Sequence, residues 1–95
     1  MKKVAVLIRE PKQQYEGLRT SLGALMESLH VQMIVLENEI HNMDEAYYEN
    51  MMFLDEMEGE RYSDQRENID KHGFHPVNMH EVGNMLREAD IVIPF

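Results

Sequence analysis

Cysteine is absent from this chain of 95 residues. Disulfides, thiolate metal sites and sulfur nucleophiles are thereby excluded, because each requires a thiol. Basic residues are scarce: nine Lys and Arg stand against eighteen Asp and Glu, a net charge of −9. Nucleic-acid binders gain affinity by neutralising phosphates with Lys and Arg, so no nucleic-acid partner is expected. Long apolar runs are missing too. The opening MKKVAVLIRE holds five apolar residues between Lys3 and Arg9, short of the ~7–15 that a secretory signal uses. Nothing approaches the ~18 apolar residues of a membrane-spanning helix. A cytoplasmic protein with no membrane partner is the expectation.

Several motifs are also missing. No G-x-G-x-x-G or P-loop spacing follows the first apolar run, so nucleotide phosphates have no dedicated cradle. The histidines include no H-E-x-x-H pair, and His72, His75 and His80 flank a turn and a helix start, so surface or capping roles are expected and no metal. No cofactor is expected.

What is present reads as one domain spanning residues 1–95. Val4–Ile8 (VAVLI) and Val31–Glu37 (VQMIVLE) are β-branched and nearly continuous, as in strands covered on both faces. Asp90–Phe95 (DIVIPF) reads as a last buried strand whose proline sits harmlessly at its end. Phe74–Asn78 (FHPVN) is a fourth, weaker strand, and Gly59–Ser63 (GERYS) is left open as a fifth because it has only Tyr62 to bury.

Helices fall between these runs. Tyr15, Leu18, Leu22, Leu25, Met26 and Leu29 form one amphipathic stripe, with Gly23 inside it as a point of close approach to the sheet. Asn42 and Glu45 have capping-box spacing at the start of a helix that runs to a stop at Gly59. Ser63 is the expected cap of a helix from Asp64 to His72, and Asn78 with Glu81 repeats the capping box ahead of the last helix. Met26, Met33, Met51, Met57 and Met85 are assigned to the core as gap-fillers. Between Met43 and Glu67, nine acids against Arg61 and Arg66 leave a local charge of −7, read as a solvated helix face. Strands alternating with helices imply right-handed crossovers and a three-layer α/β/α domain with a mainly parallel sheet of four to five strands, Rossmann- or flavodoxin-like.

In such sheets ligands bind outside the carboxyl ends of the strands, near helix N-termini that attract anions. That rim is built here from Arg9–Gln14, Glu37–Asn42 and Asn78–His80, and Arg9, Lys12, Asn38, His41 and His80 are the groups expected to face a ligand. A small anionic metabolite is the chemistry they fit. His41 and His80 could serve as acid and base near neutral pH, but no Ser or Cys nucleophile stands at a recognisable elbow.

The segment EGLRTSLGALMESLHVQMIVLENEI (Glu16–Ile40) is similar to the first helix and second strand of proteins of the DsrE/DsrF/DsrH group. The ending GFHPVNMHEVGNMLREADIVIPF (Gly73–Phe95), a helix followed by Ala-Asp, an apolar strand and a terminal phenylalanine, resembles theirs, as does the opening KKVAVLIR. The resemblance covers most of the chain. It implies a DsrE-like domain that assembles into homo- or hetero-oligomers with DsrE-like chains and is related to sulfur relay. Active members carry a persulfide on a cysteine just before a helix; the corresponding position falls at Ser63, Asp64 or Gln65, none of them a thiol. The resemblance therefore implies a cysteine-free subunit that is not a cysteine-dependent sulfurtransferase.

Overall fold

The computed structural model describes residues 1–95. Five strands alternate with four helices: β1 (Lys3–Ile8), a 3-10 turn (Pro11–Gln13), α1 (Gln14–Met26), β2 (His30–Val35), α2 (Glu45–Glu56), β3 (Glu60–Ser63), α3 (Arg66–His72), β4 (His75–Pro76), α4 (Met79–Glu88) and β5 (Ile91–Pro94). The strand order is β4-β3-β2-β1-β5, and every neighbouring pair is parallel. β1 to β4 step in one direction across the sheet, so right-handed crossovers bring their helices to one face. The connection from β4 to β5 runs back past β1 and brings α4 to the other.

Alternation along the strands divides the core accordingly. Val4, Val6, Ile8, Val31, Met33 and Val35 point to one side, where Leu18 and Leu22 of α1, Tyr47, Met51 and Leu54 of α2, and the partly buried Ile69 of α3 pack against them. Ala5, Ile34 and Leu36 point to the other, against Val82 and the partly buried Met85, Leu86 and Ala89. One face thus carries three helices and the other only α4.

The three-layer parallel sheet expected from the sequence is present, and several local expectations are corrected. Gly59–Ser63 yields a genuine strand, β3, whose inward residue is not apolar. Arg61 is only 7% exposed. Its guanidinium makes two hydrogen bonds to Asp55 at 2.8 Å, donates to the His72 carbonyl at 2.7 Å, and lies over the Phe74 ring. Ser63 ends that strand and does not cap α3, which begins at Arg66 with Gln65 as its N-cap. α2 is capped by Asp44, which accepts from Tyr47 N–H at 2.8 Å, while Asn42 donates its side chain to Asp44. The capping box of Asn78 and Glu81 is present as expected.

The close helix–sheet approach lies at Gly17, not Gly23. A Cβ at Gly17 would come within 2.3 Å of Ile8 Cδ1, whereas Gly23 faces open space. Met26 is 64% exposed and lies outside the core. The final strand is not buried: β5 is an edge strand, and Ile91 and Val92 are 41% and 42% exposed. Apolar patterning identifies a strand but cannot tell a central position from an edge when β-branched residues fill both.

Candidate functional site

At the carboxyl end of the sheet the chain leaves β2 through Leu36 and turns sharply at Glu37, whose φ is +71°. A side-chain-bearing residue rarely adopts this left-handed backbone, so its surroundings must hold it. They do so from three directions. The Glu37 N–H donates to Asp64 Oδ1 at 2.9 Å, and the Glu37 carboxylate accepts from Arg9 Nε. Asn38 Nδ2 donates to the Arg9 carbonyl at 2.9 Å.

Two further side chains clamp the rest of this loop. Asn68 of α3 is fully buried; its Oδ1 accepts from Ile40 N–H at 2.8 Å, and its Nδ2 donates to the Asn38 carbonyl at 3.1 Å and to Ser63 Oγ at 3.0 Å. Gln14 at the start of α1 accepts from His41 N–H at 2.7 Å and donates to the Glu39 carbonyl at 2.9 Å. The loop after β2 is therefore fixed by its neighbours on both sides. Hydrophobic patterning misses Gln14 and Asn68, because an amide in a helix reads as surface; Asn68 directly before the core-facing Ile69 is the only hint in the sequence.

Several cavities open on this rim, and two of them bear on the expected site residues. One, of about 330 Å³, lies between the start of α1 and the approach to α2, lined by Lys12, Gln14, Tyr15, His41, Asn42, Asp44 and Tyr47 among others. The second, of about 510 Å³, lies between the ends of β1–β3 and α4, with Leu7, Leu36, Met79, Val82 and Leu86 as an apolar lining and Arg9, Glu37 and Asp64 as its polar groups. The five residues expected to face one ligand are divided among these places. Arg9 borders the second cavity, Lys12 and His41 border the first, and Asn38 binds backbone. His80 is exposed in the first turn of α4 and lines neither.

Acids outnumber bases along the rim, with Glu10, Glu37, Glu39, Asp44 and Asp64 against Arg9 and Lys12. The hydrogen bond and charge of Glu37 raise Arg9 above its ordinary value, so that guanidinium is already engaged. Glu10, Asp44 and Asn78 each accept a hydrogen bond from the first turn that follows them, occupying N–H groups that would otherwise attract an anion.

At the position where the resemblance puts the persulfide cysteine, Ser63 is fully buried and its Oγ accepts from Gln65 N–H at 3.1 Å as well as from Asn68. Asp64 Oδ1 is held by Glu37 N–H and by Gln65 Nε2. These three residues form a joint between β3, α3 and the loop after β2.

A separate polar cluster lies on the α4 side of the sheet, where β2 and β3 extend beyond that helix. Glu60 accepts from Tyr62, from Gln32 at 3.3 Å and from His30 at 2.6 Å, while the Tyr62 ring sits 5.7 Å from that of His75. Burial acts to raise the Glu60 carboxyl, but the hydrogen bonds of Tyr62, His30 and Gln32 outweigh it and hold the group below its ordinary value. Burial and then the Glu60 hydrogen bond push the Tyr62 phenol up to about 12. No three His, Asp or Glu side chains converge as a metal site requires, and no helix is long and apolar enough to cross a membrane.

No protein-family model matches the chain, and no curated protein matches it.

Proposed function

We propose that the chain is a non-catalytic DsrE-like domain, an assembly or binding subunit related to sulfur-relay proteins that works in the cytoplasm beside other DsrE-like chains. The observation that carries this reading is the joint at Ser63–Gln65. Where an active relative would present a thiolate, this chain has a buried hydroxyl bonded twice and a carboxylate fixed to a neighbouring loop. Such groups serve structure, and neither can carry a sulfane sulfur. With that chemistry gone, surfaces are what the fold has to offer. The alternative, capture of a small anionic metabolite at the rim, has less behind it, since Arg9 is paired with Glu37 and Lys12 lines a different cavity.

Two measurements test the reading together. Light scattering over a range of protein concentrations is expected to give a mass above that of one chain. A coupled assay with a persulfide donor and a thiol acceptor is expected to show no turnover above the protein-free rate. A strictly single-chain mass combined with sulfur transfer would overturn the proposal.

A further inference from the structure

The two edges of the sheet are built differently. β4 has two residues, one of them Pro76, and offers little main chain for another strand to join. β5 has four residues, Ile-Val-Ile-Pro, with no charged side chain among them and with Ile91 and Val92 exposed. An apolar edge strand of this kind is a template for pairing unless something covers or blunts it.

The hydrogen bonds to β1 show which groups remain free. Asp90 N–H donates to the Lys3 carbonyl at 2.8 Å, and Phe95 N–H donates to the Leu7 carbonyl at 2.7 Å. Successive peptide groups in a strand point to opposite sides, so Val92 shares the inward direction of Asp90, whereas Ile91 and Ile93 direct their N–H and C=O groups outward. Pro94 has the inward parity. Its missing N–H therefore interrupts the ladder with β1, where Phe95 takes over, and does not blunt the outer edge.

We infer that β5 pairs antiparallel with β5 of a second copy of this chain, about a two-fold axis at Val92, joining two sheets into one. The inference rests on the assembly reading above and names the surface involved. The stretch Ile91-Val92-Ile93 reads the same in both directions. Antiparallel pairing about its centre sets Ile91 against Ile93 of the partner subunit twice, and each such pair exchanges two main-chain hydrogen bonds. The same arrangement sets Asp90 against a proline, whereas parallel pairing would set two aspartates directly opposite each other, which is destabilising. Isologous contacts of this form close at two subunits. The net charge of −9 on each chain opposes the association, so salt, which screens exposed charges beyond ~10 Å at 0.1 M, strengthens it.

The test uses the full chain in sedimentation equilibrium at low and high salt, beside V92K, which sets two ammonium groups opposite each other at the axis. M79K is the control, placing the same charge at an exposed apolar position on α4, away from β5. The wild type and M79K are expected to dimerise more tightly at high salt, and V92K to raise the dissociation constant by about fivefold. Amide exchange is expected to protect Ile91 and Ile93 in the wild type and not in V92K, while amides of β1 and β2 stay protected in both, which shows that the variant folds. An oligomer that persists unchanged in V92K overturns the edge inference and leaves the assembly reading standing. A wild type that stays monomeric, with Ile91 and Ile93 exchanging freely, overturns self-pairing; assembly then survives only if a different DsrE-like chain raises the mass of the mixture.

Discussion

Removing the Asn68 side chain tests the loop clamp where its consequences are largest. Asn68→Ala deletes three hydrogen bonds at once and leaves the Ile40 N–H without a partner beneath a nearly buried residue. A neutral hydrogen bond contributes about 0.5–1.5 kcal/mol net, and a buried donor left unsatisfied costs about 1–3 kcal/mol. The Asn38 carbonyl lies nearer solvent, and Ser63 Oγ keeps its bond from Gln65 N–H, so the full sum does not apply. The expected loss is about 3 kcal/mol. For a domain of this size that is a large part of the roughly 5–14 kcal/mol of total stability, and it lowers Tm by roughly 12–24 °C.

Urea unfolding followed by circular dichroism reads this as a lower midpoint with an unchanged m-value. Asn68→Asp separates hydrogen bonding from packing. It keeps the acceptor for Ile40 but turns a carboxylate toward the Asn38 carbonyl and Ser63 Oγ. Burial raises the pKa of such a carboxyl in the fold, so this variant should regain stability as the pH falls and the protonated group can donate. A loss below about 1 kcal/mol for Asn68→Ala, or an Asn68→Asp variant that does not recover in acid, would refute the clamp.

Four other variants probe the packing and the second polar cluster. Gly23→Ala should stabilise by about 0.5–1 kcal/mol through helix propensity, while Gly17→Ala should destabilise by about 1–3 kcal/mol because Ile8 must move; thermal unfolding yielding the same sign for both would contradict the packing described. Tyr47 has a buried hydroxyl with no partner, so Tyr47→Phe should leave stability unchanged or raise it by about 1 kcal/mol; a clear loss in chemical denaturation would reveal a partner for that hydroxyl. The Glu60 carboxyl is held below its ordinary value in the fold, so its contribution is present above the unfolded pKa and disappears as pH falls through the folded one. Glu60→Gln should flatten the acid limb of stability against pH, and an unaltered limb would show that the cluster does not act as described.

The layered fold was legible because β1 and β2 are nearly continuous runs of β-branched residues, and only a sheet covered on both faces uses such runs twice with helices between. β3 was not, because it buries Arg61, and the groups that make this tolerable, Asp55, the His72 carbonyl and Phe74, come from three other segments. The cap of α2 lies two residues beyond the one its spacing predicts, since Asn42 and Asp44 are both good caps and the choice depends on where the loop after β2 is tied down. That tie is made by Gln14, Asp64 and Asn68, residues 25 or more positions from the atoms they hold. At the site itself, Arg9 and His41 do stand at the rim, but no local pattern reveals that Arg9 faces Glu37 or that His41 and His80 lie apart. The edge position of β5 depends on strand order, which periodicity does not encode.

Sedimentation velocity of the unmodified chain across a wide concentration range bears most directly on the claim that it acts through contact with other chains. A sedimentation coefficient that rises with concentration toward that of a closed pair is the result the account requires. A coefficient that stays at the single-chain value at every concentration and salt level, with no change when DsrE-like chains are added, would contradict it.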